Sequence, residues 1–337
     1  MFPVHILFTT FSLLPLATTA HFAAWNKGMY CLNGTTPGLD DQNTNDIVNP
    51  LFNLTKEDWW FHHNNGCDQF PPADGDFLEL PANGEFTVEL AVNRAFTTLS
   101  FGGAHTGVFG DGQNYTDGLG GLECITSPNI HTQNQTMASG TAFAISYQSN
   151  LSDVTPENLV VFTTLYHTPW ERLATYSVPN LPACPPGGCT CAWGWVPNGC
   201  GEPNIYMQGF RCNVTGEPGN VALAPAVPAT WCEGTPSNCT TGARQMIYWN
   251  QLDGNNIFVS GNDLSGSPKS PAYNSVLGFA EGAQNDIFLV EPEMFSETKP
   301  RRSTILENTA AKGLVPRWPA GFVALLLLGV HGCRRFI

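Results

Sequence analysis

The sequence predicts an all-β protein, an immunoglobulin-like antiparallel β-sandwich with long disulfide-rich loops. Three observations predict it. Apolar residues alternate with period two in several short stretches, with no sustained helical period. Those stretches are bounded by Gly, Pro, Asn and Ser clusters in a chain that holds 34 Gly and 26 Pro. Ten of the eleven cysteines lie between Cys31 and Cys239, spread through the segments that join the strands. With 42% hydrophobic and only 12% charged residues in 337, the chain can bury a real core, and it is neither a coiled coil nor a disordered polymer.

In chain order, residues 4–17 form an apolar run too short to span a bilayer, and Thr18-Thr19-Ala20 supplies small residues for a signal peptidase. Residues 1–20 are therefore expected to be a secretory leader. N-x-S/T acceptors at Asn33, Asn53, Asn114, Asn134, Asn150, Asn213 and Asn238 agree with secretion. So do the cysteines, which an oxidising compartment would join in up to five disulfides. Zinc on thiolates does not fit that compartment. Cys189 and Cys191 point to opposite faces of a strand and are not expected to pair with each other.

The domain is expected to span residues 21–295. Phe86, Val88, Leu90 and Val92 alternate in one strand, and Phe143, Ile145 and Tyr147 in another. Leu159 to Leu165 and Met246 to Trp249 add apolar runs read as further strands. Beyond about residue 260 the composition turns to Ser, Gly and Pro, and residues 296–337 read as a linker and tail. Small residues at Asn308 to Ala311, a polar spacer and the apolar run Phe322 to Val330 resemble a lipid-anchor signal.

Charge limits the partners. Seven of the fourteen basic residues lie beyond position 298, so residues 21–298 carry 27 acidic against seven basic side chains. Such a surface repels nucleic acid and anionic lipid, and a neutral polysaccharide suits it.

The most informative residue is His21, which leader removal after Ala20 would make the N-terminus. A terminal histidine is a preformed chelator, since its α-amine and ring Nδ1 can close on one metal ion. A second histidine would complete a planar three-nitrogen set suited to copper. The amine titrates near pH 8 in peptides, so capture at neutral pH displaces a loosely held proton. The histidines available for the second position include His131, His105 in a Gly-rich turn, the adjacent pair His62-His63 and His167. On a strand, His62 and His63 would point oppositely and could not readily share one ion. His167 reads as a strand-end residue.

Several segments carry a resemblance: His131 through Tyr147, then Cys191-Ala-Trp-Gly-Trp195, then Asn204-Ile-Tyr-Met-Gln208. In order and spacing they resemble the fungal lytic polysaccharide monooxygenases. There a loop histidine precedes an alternating strand ending in Ser-Tyr, and an A-W-x-W strand is followed by one bearing an axial tyrosine. The segment His21 to Gly34, HFAAWNKGMYCLNG, further resembles auxiliary-activity family fourteen, which is associated with xylan coated on cellulose. The resemblance covers His21 to about residue 290. It implies copper held by the amine and ring of His21, by His131 and, on the axis, by Tyr206. His131 is preferred to His105 because only His131 has the strand context. Gln208 stands where sister families have Asn, and Cys212 falls later than their cysteine. Asn204 and Gln208 flank Tyr206 at spacing two, so either is expected to orient the oxygen species.

The implied activity is oxidative cleavage of plant cell-wall polysaccharide, xylan on cellulose first. It would use an external electron donor and dioxygen or hydrogen peroxide, in a secreted monomer that the tail could tether at the cell surface. The other reading is a cell-surface copper-binding protein on the same fold, without cleavage. A hydrolase is disfavoured: Asp40-Asp41, Glu57-Asp58 and Glu291/Glu293 sit in no recognisable frame, and no G-x-S-x-G, H-E-x-x-H or P-loop occurs. The pairs Trp59-Trp60 and Trp193/Trp195 are read as core rather than as a sugar platform.

Overall fold

Period-two alternation in the middle of the chain builds a six-stranded sheet buried on both faces. The computed structural model describes residues 21–121, 123–125, 128, 130–197 and 203–290. The expected leader and tail lie outside the described residues, as do residues 291–295 of the expected domain. Among the described residues no helix is long and apolar enough to cross a membrane.

The strands are β1 (Ala23–Trp25), β2 (Leu78–Pro81), β3 (Glu85–Ala91), β4 (Thr141–Ser146), β5 (Val160–Leu165), β6 (Leu173–Ser177), β7 (Cys189–Trp195), β8 (Tyr206–Thr215) and β9 (Gly282–Ala283). They form a three-stranded sheet, β1-β3-β6, and a six-stranded sheet, β2-β8-β7-β4-β5-β9. The predicted sandwich is therefore present, with one departure: β2 runs parallel to β8, pairing Leu78 with Cys212 and Pro81 with Thr215. β2 also leads directly into β3 of the other sheet, so it is a short edge segment passing between the two sheets. Its direction follows from that connection, not from a hairpin.

Between the sheets, Phe86, Val88 and Leu90 of β3 meet Phe143 and Ile145 of β4, together with Trp193, Trp195, Tyr206 and Phe210. Phe86 lies edge-on to Phe143 at 5.0 Å and stacks on Tyr176 at 5.4 Å. The opposite face of the six-stranded sheet, with Ala142, Ala144, Ala192 and Met207, is covered by Trp59, Phe61, Met246, Tyr248, Tyr273 and Phe279. Both faces being buried, β4 and β7 show no exposed positions, and small Ala alternates with large Phe, Ile and Trp.

Met246 to Trp249, expected as a strand, is instead irregular chain in this covering layer. Two of its backbone N–H groups bond to side chains: the Ile247 N–H donates to Tyr273 Oη (3.0 Å) and the Tyr248 N–H to Asn256 Oδ1 (2.9 Å). The segment after residue 260 likewise packs, with Tyr273, Leu277, Phe279 and Ile287 all buried. Gly194 explains how closely this layer approaches, because a Cβ there would meet Tyr273 Oη and Met246 Cε at 2.5 Å.

Four disulfides lie among the described residues: Cys31–Cys67, Cys184–Cys189, Cys191–Cys212 and Cys232–Cys239. Cys189 and Cys191 do take different partners. The third of these bonds joins β7 to β8, the two strands that carry Trp195 and Tyr206.

Candidate metal centre

Antiparallel pairing of β7 with β8 sets Trp195 directly opposite Tyr206. Their rings stack at 4.6 Å with 25° between planes. Trp195 is fixed from behind, its Nε1–H donating to Ser139 Oγ (3.2 Å), while the Ser139 hydroxyl donates to the Val196 carbonyl. The Asn274 amide donates in turn to the Ser139 carbonyl at 3.1 Å, tying the covering layer to this corner.

His131 is a second neighbour of the same indole, edge-on to Trp195 at 6.1 Å. It is buried at 8% exposure in the loop before β4, and its φ of 47° is left-handed. That conformation costs a residue with a Cβ about 1–2 kcal/mol. Phe22, the residue after His21, also reaches Trp195, at 6.3 Å edge-on. His21 itself is half-buried, two residues before β1. One tryptophan is thus the common neighbour of His131, Tyr206 and the segment that begins with His21.

Burial holds the Tyr206 phenol well above its usual titration range, so it is neutral at physiological pH. A neutral phenol beside imidazole nitrogens is a donor set compatible with a cupric ion, and it adds no charge that the buried corner would have to accommodate. Among the described residues no group of three His, Cys, Asp or Glu side chains could hold a metal. A set of two histidines, an amine and a phenol does not need one.

Gln208 does not play the part expected for it. Its Oε1 accepts from the Ala24 N–H (2.9 Å), and its Nε2 donates to the carbonyls of Phe22 (2.9 Å) and Ile47 (3.4 Å). Both ends of the amide are therefore engaged with backbone, and it is not placed to orient an oxygen species. Met207 points into the covering layer, opposite Tyr206.

The other histidines sit elsewhere. His105 is exposed and edge-on to Phe101 at 5.3 Å. His167 is exposed beside Tyr166 at 6.3 Å. The pair His62-His63 lies in a 3-10 helix, Trp60–Asn65, which is kinked at Phe61 and His62, whose φ angles of 49° and 57° are left-handed. His62 is fully buried, and neither ring nitrogen has a hydrogen-bond partner. His63 pairs with Asp68 at 2.8 Å on the surface. Of the carboxylates considered for hydrolysis, Asp40 pairs with Arg94, and Glu291 and Glu293 lie outside the described residues.

Sequence reasoning missed the role of Trp195. By burial it is a core residue, as expected along with Trp59 and Trp193, yet its ring is the surface that the candidate residues share. The A-W-G-W spacing held the signal: Gly194 lets the covering layer close on one face, while Trp193 and Trp195 fill the other.

A family model described as lytic polysaccharide monooxygenase AA14 matches residues 2–316. The chain is 38% identical over 284 residues to AA14 family lytic polysaccharide monooxygenase A of Trametes coccinea (strain BRFM310). That match covers 80% of this chain and 62% of the relative, so the chain spans less than two thirds of that relative's length. It is 38% identical to AA14 family lytic polysaccharide monooxygenase B of Pycnoporus cinnabarinus, over 87% of this chain and 76% of the relative. A similar enzyme B of Talaromyces rugulosus is 35% identical, over 82% of this chain and 95% of the relative. By the extent of these matches the chain belongs to the AA14 family of lytic polysaccharide monooxygenases, whose members are copper-dependent oxidoreductases.

Proposed function

We propose that the chain is a secreted copper-dependent monooxygenase that cleaves polysaccharide oxidatively, xylan on cellulose being its first candidate substrate. The observation that carries the reading is the Trp195 indole, against which His131, Tyr206 and Phe22 all pack. In this reading His21 would hold copper through its α-amine and ring, His131 through its ring, and Tyr206 through its phenol oxygen. Copper bound there supplies redox chemistry, in which an external electron donor and dioxygen or hydrogen peroxide lead to hydroxylation of a sugar carbon and loss of the glycosidic bond.

The chain's own residues do the rest. Tyr206 would offer copper a neutral oxygen, so the tyrosine would add no charge to the buried corner. Trp195 keeps water from the inner side of the site and holds the planes of His131 and Tyr206. The rim beside Ile205 is formed by the bridge of Leu51 to Ile205 and by the Leu252 N–H donating to the Leu54 carbonyl (2.9 Å). It exposes Phe52 and Leu252, apolar surface that a flat neutral polysaccharide chain could cover. The acidic charge of the domain favours that partner over anionic polymers.

The test takes the secreted protein, establishes its first residue, and measures copper stoichiometry and oxidised oligosaccharides released from xylan-coated cellulose with ascorbate. One copper per chain starting at His21, lost in His21→Ala, together with oxidised products, is expected. Tight copper binding without product over a broad polysaccharide panel would instead favour a copper-binding protein of the cell surface. A mature chain beginning elsewhere would overturn the site.

A further inference from the structure

β1 is a three-residue strand at the edge of its sheet, with β3 on one side and, among the described residues, no strand on the other. Ala23, Ala24 and Trp25 lie opposite Ala91, Leu90 and Glu89 of β3, and because the Leu90 N–H donates away from β1, to the Arg172 carbonyl, the polar groups of Phe22 and Ala24 face the open edge. Phe22, Ala23 and Ala24 are completely buried, so water cannot satisfy that edge. In a strand, the C=O of one residue and the N–H two residues later stand side by side on the same edge, which is the spacing a neighbouring peptide group would engage. Gln208 fills it with a side chain: its Oε1 takes the Ala24 N–H and its Nε2 takes the Phe22 carbonyl, both at 2.9 Å.

Gln208 belongs to β8, in the other sheet, and its side chain lies on the same face as Tyr206, two residues earlier. One carboxamide therefore ties the strand beginning beside His21 to the strand carrying Tyr206. We infer that Gln208 is a positioning residue that fixes where His21 stands relative to Tyr206, by serving as the missing strand neighbour of β1. The inference rests on the copper site proposed above. Phe22 is the peptide neighbour of His21, so a shift of its carbonyl moves the α-amine and ring of His21 with it. The amide length matters. Asn at this position is shorter by one methylene, roughly 1.5 Å, and with both sheets held in place it cannot reach the two groups at hydrogen-bond distance.

The test compares the chain beginning at His21 with Gln208→Met, which keeps the length and removes both bonds to the β1 edge along with the one to Ile47, and with Gln208→Asn. The readouts are hydrogen exchange at the Ala24 amide in metal-free protein, Cu(II) affinity by titration calorimetry, and the Cu(II) electron paramagnetic resonance spectrum. Expected are faster Ala24 exchange, copper affinity lowered tenfold or more, and an altered or heterogeneous copper spectrum. Wild-type affinity and spectrum in a variant whose Ala24 exchange is accelerated would reduce Gln208 to a fold-stabilising bond and overturn the inference. Should Gln208→Met fail to fold, Gln208→Asn reads the same quantities with the amide retained. A wild-type chain beginning at His21 that binds no copper would instead sink the site itself, and this inference with it.

Discussion

Trp195 and Tyr206 are cross-strand partners whose rings stack at 4.6 Å, so the register of β7 on β8 fixes the plane of the phenol. Tyr206→Phe keeps the ring and the stack and removes only the oxygen. It is expected to cost about 1 kcal/mol of stability, the scale of one buried hydrogen-bonding group. The spectrum of bound Cu(II) should change clearly. A spectrum identical to wild type would remove Tyr206 from the copper axis.

The choice between His131 and His105 is open to direct measurement. His131 packs on Trp195, whereas His105 is exposed against Phe101. Copper titration of His131→Ala is expected to give a loss of at least a hundredfold in affinity, as removal of one of few ligands should, with His105→Ala close to wild type. The reverse pattern would transfer the second ligand to the Gly-rich turn.

His62 predicts an acid-sensitive fold. Burial alone pushes its pKa down from 6.5 to about 3. With the folded pKa below the unfolded one, the unfolded chain binds the proton first. The stability contribution is then complete above pH 6.5 and is lost as pH falls from there towards 3. The slope should approach about 1.4 kcal/mol per pH unit in that window. Urea unfolding across pH 4 to 7 measures it. His62→Asn, which tolerates left-handed backbone and does not titrate, should flatten the slope. An equally steep slope in that variant would assign the acid sensitivity to other groups.

Much of this was legible in the sequence because alternation survives wherever a strand buries two unlike faces. Phe86 to Leu90 and Phe143 to Ile145 could be placed on strands from spacing alone, and the A-W-G-W stretch from the resemblance. The covering layer was not legible. Met246 to Trp249 is apolar because it lies on a sheet, and an apolar run carries no sign of whether its backbone bonds go to a strand or to Tyr273 and Asn256. The kink at His62 was hidden too, since the left-handed angles at Phe61 and His62 fall on residues that are neither Gly nor Asn. Gln208 faced the expected way. What spacing could not supply was that the other sheet would present an open strand edge within reach of its amide.

Gly194 tests the covering layer. A Cβ at this position would lie 2.5 Å from both Tyr273 Oη and Met246 Cε, closer than any real contact. Gly194→Ala must therefore push the layer outward or strain β7, at about 1–3 kcal/mol. The Ile247 N–H to Tyr273 Oη bond should weaken with it. Thermal unfolding reads the first effect and hydrogen exchange at Ile247 the second. A variant as stable as wild type with Ile247 equally protected would mean that the layer is loosely seated.

The role of His21 makes a prediction that needs no substrate. If its α-amine is a copper ligand, the donor exists only when His21 begins the chain, because a peptide nitrogen in its place carries no comparable basic lone pair. Copper that binds the folded state alone should raise the unfolding free energy by about 2.7 kcal/mol at a hundredfold excess over Kd. Its removal by a chelator should reverse the gain. A single extra residue ahead of His21 should abolish most of the gain, while the pairing of β1 with β3 and the Gln208 bond to Phe22 remain in the metal-free protein. Thermal scans of the two proteins with and without copper and chelator decide it. Equal copper stabilisation of both would show that the metal is held by side chains alone.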